Sequence, residues 1–424
     1  MSQTLLRVRD GHGASVSFSE LLFDLIYVFA VTQLSHYLLH HLTLTGAVET
    51  LLLWFAVWLA WQYTAWVTNW FNPDTRPIRI LLFGIMLLGL FASSALPQAF
   101  GERGLTFALF YVAIQVGRSC VVLNLLPVDH PLKQNFRRIL GWMCISAVFW
   151  ILGGLAEGHN RLVLWALAVL CEYVSPMFGF RLPVLGRSDS SSEWTIEGHH
   201  LAERCQLFVI VALGETILIT GSTLSEMESW SAPVLIASLV AFLGSLAMWW
   251  VYFDTSSKAG SHAISQAENP GQLGANFHYV HVVLVGAIIV CAVANELVIA
   301  HPDGHIDNVT AAVLLLGPAI YLLANALYKR LVYRRFPLSH LVGLIALAVL
   351  APIAYLTDLL MVNGLTTLIM VAVAVWESIS RAERRRPAAF TDKPENRGQC
   401  AIETSPPVAL FTSAVAVASA PTAR

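Results

Sequence analysis

The chain has 424 residues, of which 56% are hydrophobic and only 12% are charged, and its formal net charge is −2. Soluble domains are typically about 25% charged, so this composition excludes an ordinary soluble protein and predicts one that crosses a bilayer many times. A mean hydropathy of +0.65 agrees. The six cysteines show no paired or C-x-x-C spacing. We interpret five of them as small apolar packing residues.

Twelve apolar segments are long enough to cross a bilayer, since about 20 apolar residues span the hydrocarbon core as a helix. We therefore predict an all-α, polytopic membrane protein. The predicted spans are 18–39, 46–69, 78–98, 104–125, 137–157, 161–181, 201–223, 231–253, 276–299, 309–328, 338–357 and 361–380. Residues 1–17 precede the first span, 182–200 connect the sixth to the seventh, and 381–424 are predicted to be a disordered tail.

Basic residues near the ends of these spans predict the orientation of the chain. With twelve spans, 18 Lys and Arg residues fall on one side and only Arg103 and Arg161 on the other. In membrane proteins the cytoplasmic loops carry the excess of basic residues. The asymmetry therefore supports twelve spans and predicts that both termini are cytoplasmic.

Similar residues recur along the chain at a nearly constant distance. Gly84 and Gly286 are 202 residues apart, and LAVLCE, which ends at Glu172, resembles AVAVWE, which ends at Glu377. The sequence predicts two parallel six-helix repeats, 18–181 and 201–380, related by an axis along the membrane normal. In such folds the functional cavity lies between the halves, and the first helix of each half faces it.

Charged side chains inside spans one and seven are the main functional candidates. Glu20 and Asp24 lie one turn apart on one face of span one, and Arg204 and Glu215 share a face of span seven. A carboxylate in hydrocarbon costs roughly 2.5–3.5 kcal/mol even on lenient insertion scales. The chain therefore uses these groups either to hold helices together or to handle ions.

Three further charged side chains complete the candidate solute or ion pathway: Arg118, Glu172 and Glu203. In one interpretation, Arg118 neutralises a carboxylate in a structural ion pair, with Asp24 as the first choice and Glu172 as the second. In the other, buried acids outnumber buried bases, so one carboxyl is protonated and can relay a proton. We predict that this group is Glu215, facing a cavity between the halves, because Arg204 is about 16 Å away along the helix.

Aromatic residues form a stripe on span two. Trp54, Trp58 and Trp61 follow each other at helical spacing. They either pack and anchor the helix, or Trp58 and Trp61 form the wall of a ligand cavity or a cation–π site. No metal-ligand cluster, P-loop, dinucleotide motif or G-x-S-x-G occurs. We expect no enzyme activity, no cofactor, no metal and no nucleic-acid partner.

Four ordered motifs carry a resemblance to a known family over roughly residues 15–380. They are FSELLFDLIYVFAVTQLSH, WQYTAWVTNWFNPD, HLAERCQLFVIVALGETIL and AMWWVYFD. They resemble the bacterial low temperature requirement A family. The resemblance implies a polytopic protein of the bacterial inner membrane and implies no settled biochemical activity.

A fainter similarity is to potassium channels built from two six-span units, whose first helices line the pore. Those channels carry Phe-Ser-Asp in these helices, whereas this chain has Phe23-Asp24 in span one and nothing equivalent in span seven. The sequence favours a secondary transporter of a small solute or ion, linked to protons through Glu20, Asp24 and Glu215. A cation channel and a non-transporting, lipid-handling membrane factor are the alternatives. The expected partners are the lipid bilayer and a small solute or ion.

Overall fold

Twelve α-helices make up the part of the chain that the computed structural model describes, residues 5–7, 14–188, 196–265 and 267–385. A short 3-10 turn, Leu96–Gln98, follows the third helix. The helices are α1 Phe18–His40, α2 Leu44–Trp70, α3 Arg76–Ala95, α4 Gly104–Leu125, α5 Pro131–Leu155, α6 Gly158–Met177, α7 Gly198–Glu226, α8 Ala232–Ser265, α9 Pro270–Ala300, α10 Asn308–Tyr333, α11 Leu338–Ala354 and α12 Leu359–Arg385. A helix therefore forms at each of the twelve predicted positions.

Ten of these helices are long and apolar enough to cross a membrane. The two others are α6, which is less apolar, and α11, which is apolar but has only 17 residues. The protein is thus all-helical and multi-pass, and the count of twelve spans stays a prediction. Most of the predicted tail, 386–424, and parts of the N-terminal and connector segments lie outside the described residues.

The start of α1 shows how one residue serves both local structure and the candidate site. Ser17 is the N-cap, and its hydroxyl accepts a hydrogen bond from the backbone N–H of Glu20 at 3.3 Å. The Glu20 carboxylate in turn accepts from the backbone N–H of Ser17 at 2.9 Å. This reciprocal pattern is a capping box, and it places the Glu20 carboxylate at the entrance of the helix.

Helices α1, α2, α7 and α9 meet at the centre of the described structure, where α1 and α2 each contact both α7 and α9. Side-chain contacts between α1 and α7, made by Glu20, Asp24 and Thr32 of α1, join residues that are 180 to 183 positions apart. Two helices with such a constant offset run parallel. The candidate residues of spans one and seven are therefore brought to one interface.

Candidate functional site

The Glu20 carboxylate is fully buried and accepts four hydrogen bonds. Oε2 accepts from the backbone N–H and the hydroxyl of Ser17, both at 2.9 Å, and from Nη2 of Arg7 at 3.0 Å. Oε1 accepts from Nε2 of His200 at 2.7 Å. A carboxylate with this many donors is held in its charged form. Glu20 therefore fastens the segment before α1 to the start of α7.

His200 reaches Glu20 in a defined tautomer. The Asn69 amide is oriented by the backbone of Glu197, whose N–H donates to Oδ1 and whose carbonyl accepts from Nδ2, both at 2.9 Å. The same Nδ2 lies 3.2 Å from Nδ1 of His200. Since an amide nitrogen can only donate, Nδ1 of His200 accepts and Nε2 carries the proton that it shares with Glu20.

Asp24 forms an ion pair with Arg204 across the α1–α7 interface. Nη2 of Arg204 donates to Oδ1 of Asp24 at 2.7 Å, and both side chains are buried. Nε1 of Trp61 donates to the same oxygen, also at 2.7 Å. The guanidinium lies over the rings of Phe23 and Trp61, 5.6 and 5.7 Å from their centroids, within the range of cation–π attraction.

Several polar atoms beside this pair are buried and have no hydrogen-bond partner within the described residues. They are Oδ2 of Asp24, Nε and Nη1 of Arg204, the hydroxyl of Tyr27, Nε1 of Trp58 and Nε2 of His278. Nδ1 of His278 lies 3.0 Å from the carbonyl of Gly274, so Nδ1 donates and Nε2 is an acceptor. Donors and acceptors thus remain available where the four central helices meet.

Glu215 lies further along the same interface and is 1% exposed. Its Oε2 accepts from the hydroxyl of Thr32 at 2.7 Å, and its Oε1 is buried with no hydrogen-bond partner in the part of the chain that the structure describes. Within the described residues it forms no ion pair with Lys or Arg. His36 of α1 and Glu296 of α9 are close enough to interact with it electrostatically.

The predicted ion pair between Arg118 and Asp24 is wrong, because Asp24 forms its ion pair with Arg204. Nη1 of Arg118 donates to the carbonyl of Ala60 at 3.3 Å and to the hydroxyl of Thr64 at 3.2 Å, and Nη2 donates to Oε1 of Gln115 at 2.5 Å. The second predicted partner, Glu172, is reached only through Gln115, whose Nε2 lies 3.1 Å from it.

Glu172 has a complete set of donors of its own. Besides Gln115, it accepts from the hydroxyls of Tyr111 at 2.6 Å and Ser146 at 2.8 Å, and from Nε1 of Trp150 at 2.9 Å. These donors come from α4 and α5, while Glu172 belongs to α6. The carboxylate therefore holds three helices together.

The two tryptophans predicted to form a cavity wall are fully buried. Their rings pack on Phe208, with centroids 5.3 Å away from Trp58 and 4.6 Å away from Trp61. A cavity does adjoin α2, but it is lined by Trp66 and Trp70 and by neither of those two residues. That Trp58 and Trp61 form the wall of a ligand cavity stays a prediction, whereas their packing on Phe208 is observed.

Glu203 lies at the edge of the site, with its side chain 33% exposed. Its Oε2 accepts from the backbone N–H of Val16 at 3.1 Å and lies 3.8 Å from Nδ1 of His199. It thus ties the residues before α1 to α7. It is not one of the buried groups.

Sequence reasoning missed several polar contacts. Arg7 served only as a marker of orientation, and His200 was not named as a site residue. In the second half, Lys329 of α10 forms an ion pair with Glu377 of α12, and Ser339 of α11 donates to the same carboxylate at 3.1 Å. The similarity of AVAVWE to LAVLCE was the available signal for this cluster, because it aligned Glu377 with a candidate acid.

Comparison with known proteins gave two matches. Residues 15–375 match the model of the family described as bacterial low temperature requirement A protein (LtrA). The chain is also 38% identical over 387 residues to an uncharacterized protein of Rhizobium meliloti (strain 1021), covering 91% of this chain and 94% of that protein. No solved structure matches. The family match confirms the resemblance that the four sequence motifs predicted.

Proposed function

The chain belongs to the bacterial low temperature requirement A family, and from that premise we propose that it is a secondary transporter of a small solute or ion in which Glu215 carries a proton. The observation that supports this proposal is the environment of Glu215. Its carboxyl is buried between the first helices of the two predicted repeats, with one hydrogen-bond donor and no Lys or Arg partner among the described residues. Intramembrane carboxyls of this kind are the usual components of proton relays.

A comparison of the buried acids singles out Glu215 among them. Glu20 and Glu172 each accept four hydrogen bonds, and Asp24 is paired with Arg204. Protonation of any of these three would break an ion pair or leave donors without an acceptor, which is costly in a buried site. Protonation of Glu215 breaks no ion pair with Lys or Arg among the described residues, and the protonated carboxyl can still form a hydrogen bond with the Thr32 hydroxyl. The proton linkage first ascribed to Glu20, Asp24 and Glu215 is therefore assigned to Glu215.

The packing of the helices supports the predicted topology. For α7 to run parallel to α1, the chain must cross the membrane an even number of times from α1 through α6. Five of these helices are long and apolar enough to span it, so the even number favours α6 as the sixth span. Consistent with this, α6 runs back along α5: Trp165 donates to the carbonyl of Trp150 at 3.0 Å, and Ser146 donates to Glu172 at 2.8 Å. Twelve spans, an inner-membrane location and cytoplasmic termini are part of the proposal.

The contacts between helices also support two parallel repeats. In the first half α1 contacts α2 and α3, and α4 contacts α2, α3 and α5. In the second half α7 contacts α8 and α9, and α10 contacts α8, α9 and α11. Each of these five contacts recurs six helices later, as a symmetry axis along the membrane normal requires. The contacts of α6 with α5 and α2 have no comparable counterpart between α12 and α11 or α8 within the described residues. Gain and loss of a proton at Glu215 would then change the contact between the two halves.

The test uses the full-length protein in liposomes that contain a pH-sensitive dye. Gradients of K⁺, Na⁺ and small organic solutes are imposed one at a time, and proton movement is followed. We expect at least one gradient to drive protons through the wild type and not through Glu215→Gln. The matched control is Glu226→Gln, which makes the same change at an exposed position at the end of α7 and should behave as the wild type.

A second measurement needs no substrate. A protonated carboxylic acid has an infrared carbonyl band, and a pH-dependent band of the wild type should be absent from Glu215→Gln. If no such band exists and Glu215→Gln transports as the wild type does, Glu215 is structural and the proposal fails. Flux that follows the cation gradient without protons would indicate the channel, and lipid movement without solute flux would indicate the lipid-handling factor.

A further inference from the structure

A cavity of about 90 Å³ lies at the end of the helix bundle where α4 and α6 end and α5 and α9 begin. Its lining includes Arg118, Gln62, Trp66, Phe136 and Ala275. At about 30 Å³ for each water molecule in the liquid, its volume corresponds to about three waters. The cavity is thus large enough for a small organic molecule and is separate from Glu215.

The Arg118 side chain gives this cavity a positive charge. Arg118 is 2% exposed, and within the described residues it forms no ion pair with a carboxylate. Its hydrogen bonds go to the neutral oxygens of Ala60, Thr64 and Gln115. A guanidinium is always charged and has five N–H groups, of which these three bonds use at most three.

Glu172, which interacts electrostatically with Arg118, does not satisfy those remaining donors. Glu172 already accepts from Tyr111, Gln115, Ser146 and Trp150. A buried arginine without a direct counter-ion is expensive. An anion bound beside Arg118 would supply that counter-ion and could take two parallel hydrogen bonds, the geometry that arginine favours with carboxylates.

A second buried polar group lines the same cavity. Gln62 is 6% exposed, and its Oε1 has no hydrogen-bond partner among the described residues. The remaining wall is largely aromatic and apolar, with the rings of Trp66 and Phe136 among it. Such a mixture, a few polar groups in an apolar wall, is typical of sites for small molecules.

We propose that this cavity binds a small organic monocarboxylate, with the carboxylate on Arg118 and the apolar part against the aromatic rings. Propionate is a small molecule of this kind, with one carboxylate and a two-carbon apolar part. Binding at this site depends neither on Glu215 nor on transport. Glu215→Gln is therefore expected to bind the ligand as the wild type does, even if the proposed transport function fails.

In the experiment, the purified full-length protein in lipid nanodiscs is titrated with propionate. Binding is followed by the heat released and by tryptophan fluorescence, which should change because Trp66 lines the cavity. Propionamide, which has the same shape without the charge, and chloride, which has the charge without the apolar part, are titrated in parallel. We expect saturable binding of propionate and at least tenfold weaker binding of the other two. Equal binding of propionamide, equal binding of chloride or no binding of propionate would overturn the proposal.

Two variants locate the ligand. Arg118→Gln should weaken propionate binding at least tenfold, whereas Arg137→Gln, the same change at an exposed position of α5, should not. Because Arg118→Gln could impair folding, Ala275→Leu is the second variant, since it fills the cavity from α9 and leaves Arg118 in place. It should also weaken binding at least tenfold, and unchanged binding in a folded Ala275→Leu protein would place the ligand elsewhere.

Discussion

Asp24 of α1 and Arg204 of α7 form a buried ion pair, with Nη2 and Oδ1 2.7 Å apart. The pair joins the first helices of the two predicted repeats, which are 180 residues apart in the chain. Arg204 is fully buried, and two of its nitrogens have no hydrogen-bond partner within the described residues. Asp24 is therefore the carboxylate that accepts a hydrogen bond from Arg204, while Oε1 of Glu20 lies 3.9 Å from Nη1.

Asp24→Asn should destabilise the protein by about 3–5 kcal/mol, because removing one member of a buried pair leaves the other charge without its hydrogen-bonded counter-ion. The double variant Asp24→Asn with Arg204→Gln should be more stable than the sum of the two single changes predicts. Thermal unfolding in detergent measures both effects. The control is Arg79→Gln, which removes an exposed ion pair with Asp74 and should cost about 0–1 kcal/mol.

Glu172→Gln should destabilise the protein by about 1–3 kcal/mol. The amide replaces one of the two oxygens by an N–H₂ group, so either Tyr111 and Gln115 or Ser146 and Trp150 would lose their acceptor. The adjacent change Cys171→Ser, at a partly exposed position, is the control in the same unfolding measurement. Equal stability of Glu172→Gln and the wild type would show that the four hydrogen bonds contribute little.

Thr32→Val should alter Glu215 without changing the shape of the side chain at position 32. The variant loses the hydroxyl that donates to Oε2 of Glu215 at 2.7 Å. If Glu215 is protonated, its infrared carbonyl band should move to higher frequency, because a carbonyl that accepts no hydrogen bond vibrates faster. A band at the same frequency in both proteins would mean that it belongs to another carboxyl.

Asp307→Ala should destabilise the protein by about 1 kcal/mol at neutral pH, as is typical when an N-cap side chain is removed. Asp307 caps α10 outside the spans, and hydrogen bonds from Thr310, first its backbone N–H, and from Val309 hold its pKa below the ordinary value of 3.8. A lowered folded-state pKa means that the carboxylate stabilises the protein above the ordinary pKa and loses this effect as the pH falls.

The difference in stability between Asp307→Ala and the wild type should therefore be constant near neutral pH and shrink below about pH 4. Asp303→Ala, at an exposed position in the same loop, is the control. If this difference in stability grows as the pH falls, the charged form of Asp307 is not the form that stabilises the protein.

The sequence predicted the position of every helix, because hydropathy and turn residues mark where apolar segments begin and end. The boundaries differ most at α8, which continues to Ser265, twelve residues past the predicted span. Those extra residues are largely polar, and the hydropathy that defines a span does not register a helix that extends beyond it.

The sequence could not predict which charges pair. Counting residues from the ends of the predicted spans places Arg118 and Asp24 at a similar depth in the membrane. Pairing also requires that the two helices are neighbours and that the side chains face each other, and these depend on the packing of all helices. Arg204 meets both conditions for Asp24, while Arg118 faces α2 and Gln115 of its own helix.

The nearly constant offset between α1 and α7 limits how these two helices can move relative to each other. Glu20 meets His200, Asp24 meets Arg204 and Thr32 meets Glu215 at nearly the same spacing. Sliding one helix past the other by a single turn, about 5.4 Å, would break all three contacts at once. The α1–α7 interface therefore opposes an elevator-like displacement of one helix along the other. It permits a pivot, because a pivot can preserve the contacts at one end of the interface while the other end opens.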